Sequence, residues 1–324
     1  MKTPQQKYSK KRSAGFSLIE FLVASVLSMI VLIAIGSGYF AARKINDVAL
    51  GRLGVQQDMR NAANLIVRDA RMAGSFGCFN MANKVPATVG SDGSTSPITP
   101  SNLMAAGQTT ALVPVKSFAG TTFNVTGFTA SGNALVFQYG IGSASITGNA
   151  DGTMTMQVPP DDPLQSISNA MPLVFSSCNV LDRPTSFAVT RGKDSMTINN
   201  INPALNTGHV AAEMSILRYM VSAYVIGTTT AGEQGLYRIQ LGDDNTWQSP
   251  QLLLPGITAM NISYGYVGNC APSGAAASDI SRETFTFANA LDGTQNPPTP
   301  ALIRITLNGN TLAAQGKDME SAAS

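Results

Sequence analysis

Histidine is nearly absent from the sequence: His209 is the only one in 324 residues. A single imidazole excludes every site that needs two, most zinc centres among them. No G-x-x-x-x-G-K-[ST] phosphate loop, H-E-x-x-H, C-x-x-C or G-x-S-x-G run occurs, so the common nucleotide, metal and hydrolase signatures are missing. Charge is scarce too, at 12% of residues against about 25% in an ordinary soluble domain. The balance of 21 Lys+Arg against 19 Asp+Glu, net +2, leaves no basic surplus to neutralise a phosphate backbone, which argues against nucleic acid as a partner. With 44% apolar residues, the chain also cannot be disordered through high charge and low hydrophobicity.

What charge there is sits unevenly. Residues 1–15 carry Lys2, Lys7, Lys10, Lys11 and Arg12 and no acid. From Phe16 to Ala42 the chain is apolar, with Glu20 as its one charge. That run is longer than the roughly 20 residues needed to span a bilayer, and no second run of the kind follows. The leader outweighs Arg43 and Lys44, which predicts a cytoplasmic N-terminus and an exported remainder. An ordinary secretory signal cut near Gly36–Ala42 and an uncleaved signal anchor both fit this outline. Glu20 counts against both, because an ionisable group in an apolar span is costly and by default functional.

After the apolar run, a helical pattern continues. Ile45, Val48, Val55, Met59, Ala62, Ile66, Ala70 and Ala73 recur mostly three, four or seven apart, one face of an amphipathic helix. Lys44, Arg52, Asp58, Arg60, Arg68, Asp69 and Arg71 are read as lying mainly off that stripe. No proline interrupts residues 16–84, and Gly74 is placed to cap the helix. Residues 16–73 as one helix would run about 87 Å.

Beyond Gly74 the period shortens. Strands are expected at 111–115, 133–139, 153–158, 173–176, 186–190, 195–198, 214–226, 236–240, 257–266 and 301–307, where β-branched and aromatic residues lie between Gly, Pro, Asn and Ser. Stretches 84–109, 140–152 and 267–300 read as long loops, and 317–324 as a frayed tail. The expected fold is therefore α+β: a long N-terminal helix, membrane half plus amphipathic half, on a β-rich, mainly antiparallel domain with long loops. The boundaries follow as 1–15, 16–42, 43–74 and 75–324.

Three cysteines permit one bridge and leave one residue over. Cys78 lies just past the helix, Cys178 just past a strand and Cys270 in a loop. A Cys78–Cys178 bond is expected in an oxidising compartment; it would close a loop worth roughly 4–5 kcal/mol in the chain-entropy model. Three free thiols, or Cys270 in place of one partner, are the alternatives. His209 has no nucleophile motif to serve. Asp243 and Asp244 are the best of three weak acidic turns, and a calcium ion needs more oxygens than any of them offers. Trp247 reads as a packing residue. No cofactor is expected.

Lys11-Arg12-Ser13-Ala14-Gly15 followed by Phe16-Ser17-Leu18-Ile19-Glu20 resembles the class III signal of type IV pilins and type II secretion pseudopilins. The resemblance implies cleavage by a prepilin peptidase after Gly15, N-methylation of the new N-terminal Phe16, and an assembly role for Glu20. Physically, cleavage leaves an amine at the edge of an apolar helix, and a neighbouring copy's carboxylate could neutralise it in lipid. Val67-Arg68-Asp69-Ala70-Arg71-Met72-Ala73-Gly74 with Gly77-Cys78 resembles the helix end of PilW-type minor pilins. Tyr139-Gly140, Ser176-Ser177-Cys178, Gly235-Leu236-Tyr237-Arg238 and Ile257–Gly265 follow in the same order, while Cys270 and its Ala/Ser-rich surroundings depart from the pattern.

That likeness implies a structural protein, not an enzyme: a minor pilin that inserts in the bacterial inner membrane, is processed, and helps start a pilus at or near its tip. Its partners would be other major and minor pilins, prepilin peptidase and the pilus assembly platform, with a tip adhesin as a further candidate. A type II secretion minor pseudopilin is the close alternative, and an anchored periplasmic binding module the more distant one. Loss of the leader would turn 21 cations against 19 acids into 16 against 19, so the positive balance belongs to the segment that is discarded.

Overall fold

A computed structural model describes residues 17–81, 87–89, 95–97, 112–123, 125–150, 153–158, 163–176, 181–183, 187–191, 195–199, 214–268, 284–292, 299–309 and 319–323. The chain divides into two compact units, Met1–Gly54 and Val55–Ser324. Helix α1, Leu18–Met72, begins in the first and ends in the second. It stops at Gly74, whose φ of +77° is the left-handed cap a glycine adopts without penalty. A Cβ there would also meet Cβ of Pro114 at 2.9 Å and Cβ of Met81 at 3.0 Å, so no side chain fits. The Gly74 N–H donates to the Gln138 carbonyl at 2.8 Å, which stitches the helix end directly to the sheet.

The second unit is a β-rich domain. Its strands are β1 (Ser75–Phe76), β2 (Phe79–Asn80), β3 (Ala87–Val89), β4 (Thr95–Pro97), β5 (Val115–Ala119), β6 (Phe128–Ala150), β7 (Thr153–Gln157), β8 (Leu173–Ser176) and β9 (Leu181–Asp182). They continue with β10 (Ala188–Arg191), β11 (Met196–Asn199), β12 (Ser215–Thr229), β13 (Gln234–Gln240), β14 (Gln251–Pro255), β15 (Ile257–Gly268), β16 (Thr284–Ala288), β17 (Leu302–Gly309) and β18 (Met319–Ala323). Every pairing among them is antiparallel. The expected architecture is the observed one: a long N-terminal helix packed on a mainly antiparallel sheet domain.

Two long strands organise the larger sheet, whose order is β10-β11-β7-β6-β12-β13-β14. β6 and β12 pair from Thr229↔Phe128 to Ser215↔Ser145. The outer side of β6 is shared between β5 and then β7, and that of β12 between β13 and then β8. One pair of strands therefore carries two successive sub-sheets. Bulges between Ile216 and Arg218 and between Tyr224 and Ile226 bend the pair, as an extra residue in one strand does. A second sheet runs β16-β15-β17-β18.

Three apolar clusters follow from this layout. Leu135, Phe137, Tyr224, Ile226 and Leu236 face Ala62 and Ile66 of the helix, together with Ile257, Tyr264 and Tyr266 from the second sheet. The Phe137 and Tyr224 rings meet edge to face at 6.0 Å, a favoured aromatic geometry. The opposite face buries Val136, Ala134, Tyr219, Val225 and Tyr237 under Phe76, Phe79, Phe118 and Phe123. Trp247 packs there, 4.9 Å from the Phe123 ring. The third cluster is rich in methionine (Met154, Met156, Met171, Met196 and Met214) and lies at the β7–β11 end. Met suits an irregular gap because its unbranched chain adapts in shape.

The expected loops are corrected in several places. Residues 140–150, read as loop for their Gly, Ser and Thr, continue β6; Ala144 and Ile146 point inward against the methionine cluster. Small residues hid a real alternation. β16 lies inside the expected loop 267–300, β3 and β4 form a hairpin inside 84–109, and β18 occupies the expected frayed tail by pairing with β17. The first expected strand, 111–115, is displaced to Val115–Ala119. β14, Gln251–Pro255, has no counterpart among the expected strands.

Gly235 tests the tightness of the β13–β14 pairing. A Cβ there would lie 2.3 Å from the Leu254 carbonyl oxygen, a backbone atom that cannot move aside cheaply. Gly235→Ala is expected to lower stability by about 1–3 kcal/mol, as overpacking does, measured by urea unfolding; an unchanged midpoint would contradict the packing.

Candidate functional site: the assembly helix and its buried anchor

Glu20 sits in the first turn of α1, and one of its carboxylate oxygens accepts the Ser17 backbone N–H at 3.0 Å. That is the reciprocal arm of an S-x-x-E capping box, which satisfies an N–H the helix leaves without an intrahelical partner. The motif stands in the sequence as Ser17-Leu18-Ile19-Glu20, and its spacing was the signal that would have found it. Gly15 and Phe16 lie outside the described residues. Large apolar side chains from Leu18 through Phe40 are exposed along this part of the helix. Among the described residues, α1 is long and apolar enough to cross a membrane.

The C-terminal part of the helix reaches the sheet through a charge. Asp69 is 0% exposed, and it stands seven residues after Ala62 and three after Ile66, on the buried stripe. Its expected place off that stripe is thereby corrected. One carboxylate oxygen accepts the Tyr224 hydroxyl at 2.7 Å and Arg238 Nη2 at 2.8 Å. The other accepts the Tyr139 hydroxyl at 3.2 Å, with the Arg68 guanidinium 3.5 Å away. Arg238, itself 7% exposed, also donates to Ser222 Oγ at 3.0 Å.

Burial alone would push the Asp69 carboxyl upward. The Tyr224 hydrogen bond, the Arg238 charge and the Arg238 hydrogen bond outweigh it and hold the group below the usual carboxylate range. Tyr224 is pushed well above the usual phenol range, first by burial and then by Asp69. The buried carboxylate thus accepts three hydrogen bonds at its two oxygens. The guanidinium is held through Nη2 to Asp69 and Ser222 and leaves its Nε without a partner, so the pair is tolerated mainly through its direct charge contact.

A second buried junction lies on the opposite face. Gln138 Oε1 accepts the Val113 N–H at 3.2 Å and the Tyr219 hydroxyl at 2.8 Å, while the Gln138 N–H donates to the Pro114 carbonyl at 3.1 Å. Nearby, β1 and β2 pair as Phe76↔Phe79 across Gly77-Cys78. Gly77 supplies the positive φ of +65° that a two-residue hairpin turn needs. Cys78 is exposed and disulfide-bonded. Cys178 and Cys270 lie outside the described residues, as does His209.

The acidic turn is engaged by the protein itself. Asp243 is ion-paired with Arg218, and Asp244 accepts the Thr246 N–H at 3.0 Å. Among the described residues no three His, Cys, Asp or Glu side chains gather into a metal-binding group.

Residues 10–36 match the prokaryotic N-terminal methylation motif. That match supports a class III signal of the type IV pilin kind, and with it a type IV pilin-like or pseudopilin protein. It suggests a structural protein that is processed by prepilin peptidase and assembled into pili, and the apolar helix is consistent with membrane anchoring. No curated protein and no solved structure gives a significant match to the chain. The motif ends at residue 36, so the anchor at Asp69 is read from geometry alone.

Asp69→Asn strands Arg238 without its counter-charge and is expected to cost about 3–5 kcal/mol. The native pair also predicts a pH dependence of definite sign. A depressed folded-state carboxyl contributes fully above about pH 4, near its unfolded value, and that contribution is lost as pH falls further. Urea unfolding followed from pH 7 to pH 2 should show a steeper acid loss in the native protein than in Asp69→Asn; equal slopes would contradict the assignment.

Proposed function

We propose that this protein is a minor pilin of the type IV pilus, of the PilW type, which helps initiate assembly with other minor pilins and enters the fibre at or near its tip. The observation that carries the reading is the basic leader, Gly15, Phe16 and Glu20 in register within the matched methylation motif. Prepilin peptidase cleaves after Gly15, Phe16 becomes the methylated N-terminus, and the apolar helix holds the protein in the inner membrane until subunits pack in parallel. Glu20 then pairs with a neighbour's N-terminal amine. The landmarks shared with PilW-type proteins support the narrower assignment because several meet in space: Asp69, Tyr139 and Arg238 form one buried cluster.

A type II secretion minor pseudopilin would carry the same motif, and fibre type separates the two. Gly15→Ala should abolish processing, leaving the leader on the intact mass, whereas Glu20→Ala should be processed yet poorly incorporated. An N-methylated Phe16 in the mature protein is the expected mass-spectrometric result, and pilus yield should drop in both variants while secretion is unaffected. Full pilus yield in both would refute the reading.

The Cys78 bridge is assigned to Cys178. Ser176, two residues before Cys178, donates its hydroxyl to the Phe76 carbonyl at 2.5 Å, and Phe76 lies two residues before Cys78. Non-reducing peptide mapping should yield a Cys78–Cys178 peptide; a Cys78–Cys270 peptide would overturn the pairing.

A further inference from the structure

We propose that a cleft between the start of β6 and strand β15 binds a neutral saccharide. The cleft encloses about 310 Å³ and is lined by Ser117, Asn133, Asn261, Ser263, Tyr264 and Asn289. That volume is at the small end for ligand pockets, which run from roughly 300 Å³ upward, and suits one or two sugar rings. No charged side chain lines it, so an anion or cation would lose its hydration without gaining a counter-charge. An apolar ligand would strip water from three carboxamides and two serine hydroxyls and offer them nothing.

A sugar hydroxyl both donates and accepts hydrogen bonds, and so does a carboxamide through its separate N–H₂ and C=O ends. The match is between groups of the same dual character. The three carboxamides come from three separate segments: Asn133 near the start of β6, Asn261 on β15 and Asn289 just beyond β16. That arrangement surrounds a compact ligand; it does not track an extended one. Ser263 Oγ donates to Asn289 Oδ1 at 3.4 Å, which ties two of the segments together before any ligand arrives.

Tyr264 supplies a further group. It is buried, and its hydroxyl makes no well-formed hydrogen bond within the protein, although Ser117 lies close enough to offset part of the effect of burial. A buried hydroxyl left short of a partner costs free energy, and a ligand hydroxyl entering beside Ser117 would supply one. This site is independent of the assembly reading, and its test reads binding, not incorporation.

The test is saturation-transfer NMR on the full chain in a detergent without a sugar headgroup. The probes are glucose, galactose, mannose, N-acetylglucosamine and N-acetylgalactosamine, with glucuronate as the charged control and a strand-forming neutral peptide as the extended control. At least one neutral sugar should receive saturation, glucuronate should receive less, and Asn261→Ala should weaken that sugar about tenfold, the effect of about 1.4 kcal/mol. Asn133→Ala, at an exposed position, is the second variant should Asn261→Ala alter the thermal melt. Transfer to none of the five sugars, equal transfer in folded variants, or transfer to the peptide alone would overturn the proposal.

Discussion

The ion pair of Asp69 and Arg238 holds the head to its helix. A helix lying on a sheet through Ala62 and Ile66 alone could slide or rotate, since apolar contact has little direction. A carboxylate fixed by two tyrosine hydroxyls and a guanidinium has one acceptable position. The cluster draws from β6, β12 and β13, three adjacent strands of the large sheet, so the helix register is set against the centre of the fold. Such a pair is weak evidence for net stability and better evidence for a unique arrangement. The glycine stop at Gly74 and its bond to the Gln138 carbonyl then fix where the helix ends.

How much of this was legible depended on what kind of pattern carried it. The apolar run, the amphipathic stripe and its stop at Gly74 were plain because they depend on local spacing and on one residue's φ. β12 and β15 stood out because β-branched and aromatic residues alternate through them. The extension of β6 past Tyr139 was not legible, because Ala144 and Ile146 sit among Gly, Ser and Thr that speak for a loop until β7 and β12 are seen to flank them. Asp69 reads as exposed because charge usually signals exposure, whereas its spacing from Ala62 and Ile66 puts it on the buried face. Arg238 lies between β12 and β14, both close to it in sequence, but the carboxylate that covers it is 169 residues away, and nothing local announces that meeting.

Glu20 has one observed contact and one proposed one. Within its own chain it caps the helix start by accepting the Ser17 N–H, a contact worth about 1 kcal/mol in typical hosts. A pairing with another copy's amine has to compete with that local bond, and in an apolar setting the full charge wins over the neutral amide.

The long β6–β12 pair has a consequence for the order in which the head is made. Phe128 pairs with Thr229 and Ser145 with Ser215, so β6 is synthesised long before the strand that covers its edge. β5–β6–β7 and β12–β13–β14 can each close by nearby turns, but their union must wait until residue 229 is available. In that interval β6 presents an open row of amide and carbonyl groups, the kind of edge that recruits foreign strands. Non-local pairing also slows the final closure. The newborn head therefore passes through a window in which it needs shielding from its neighbours, and the length of that window is set by the stretch of chain between two strands that lie side by side when folding is done.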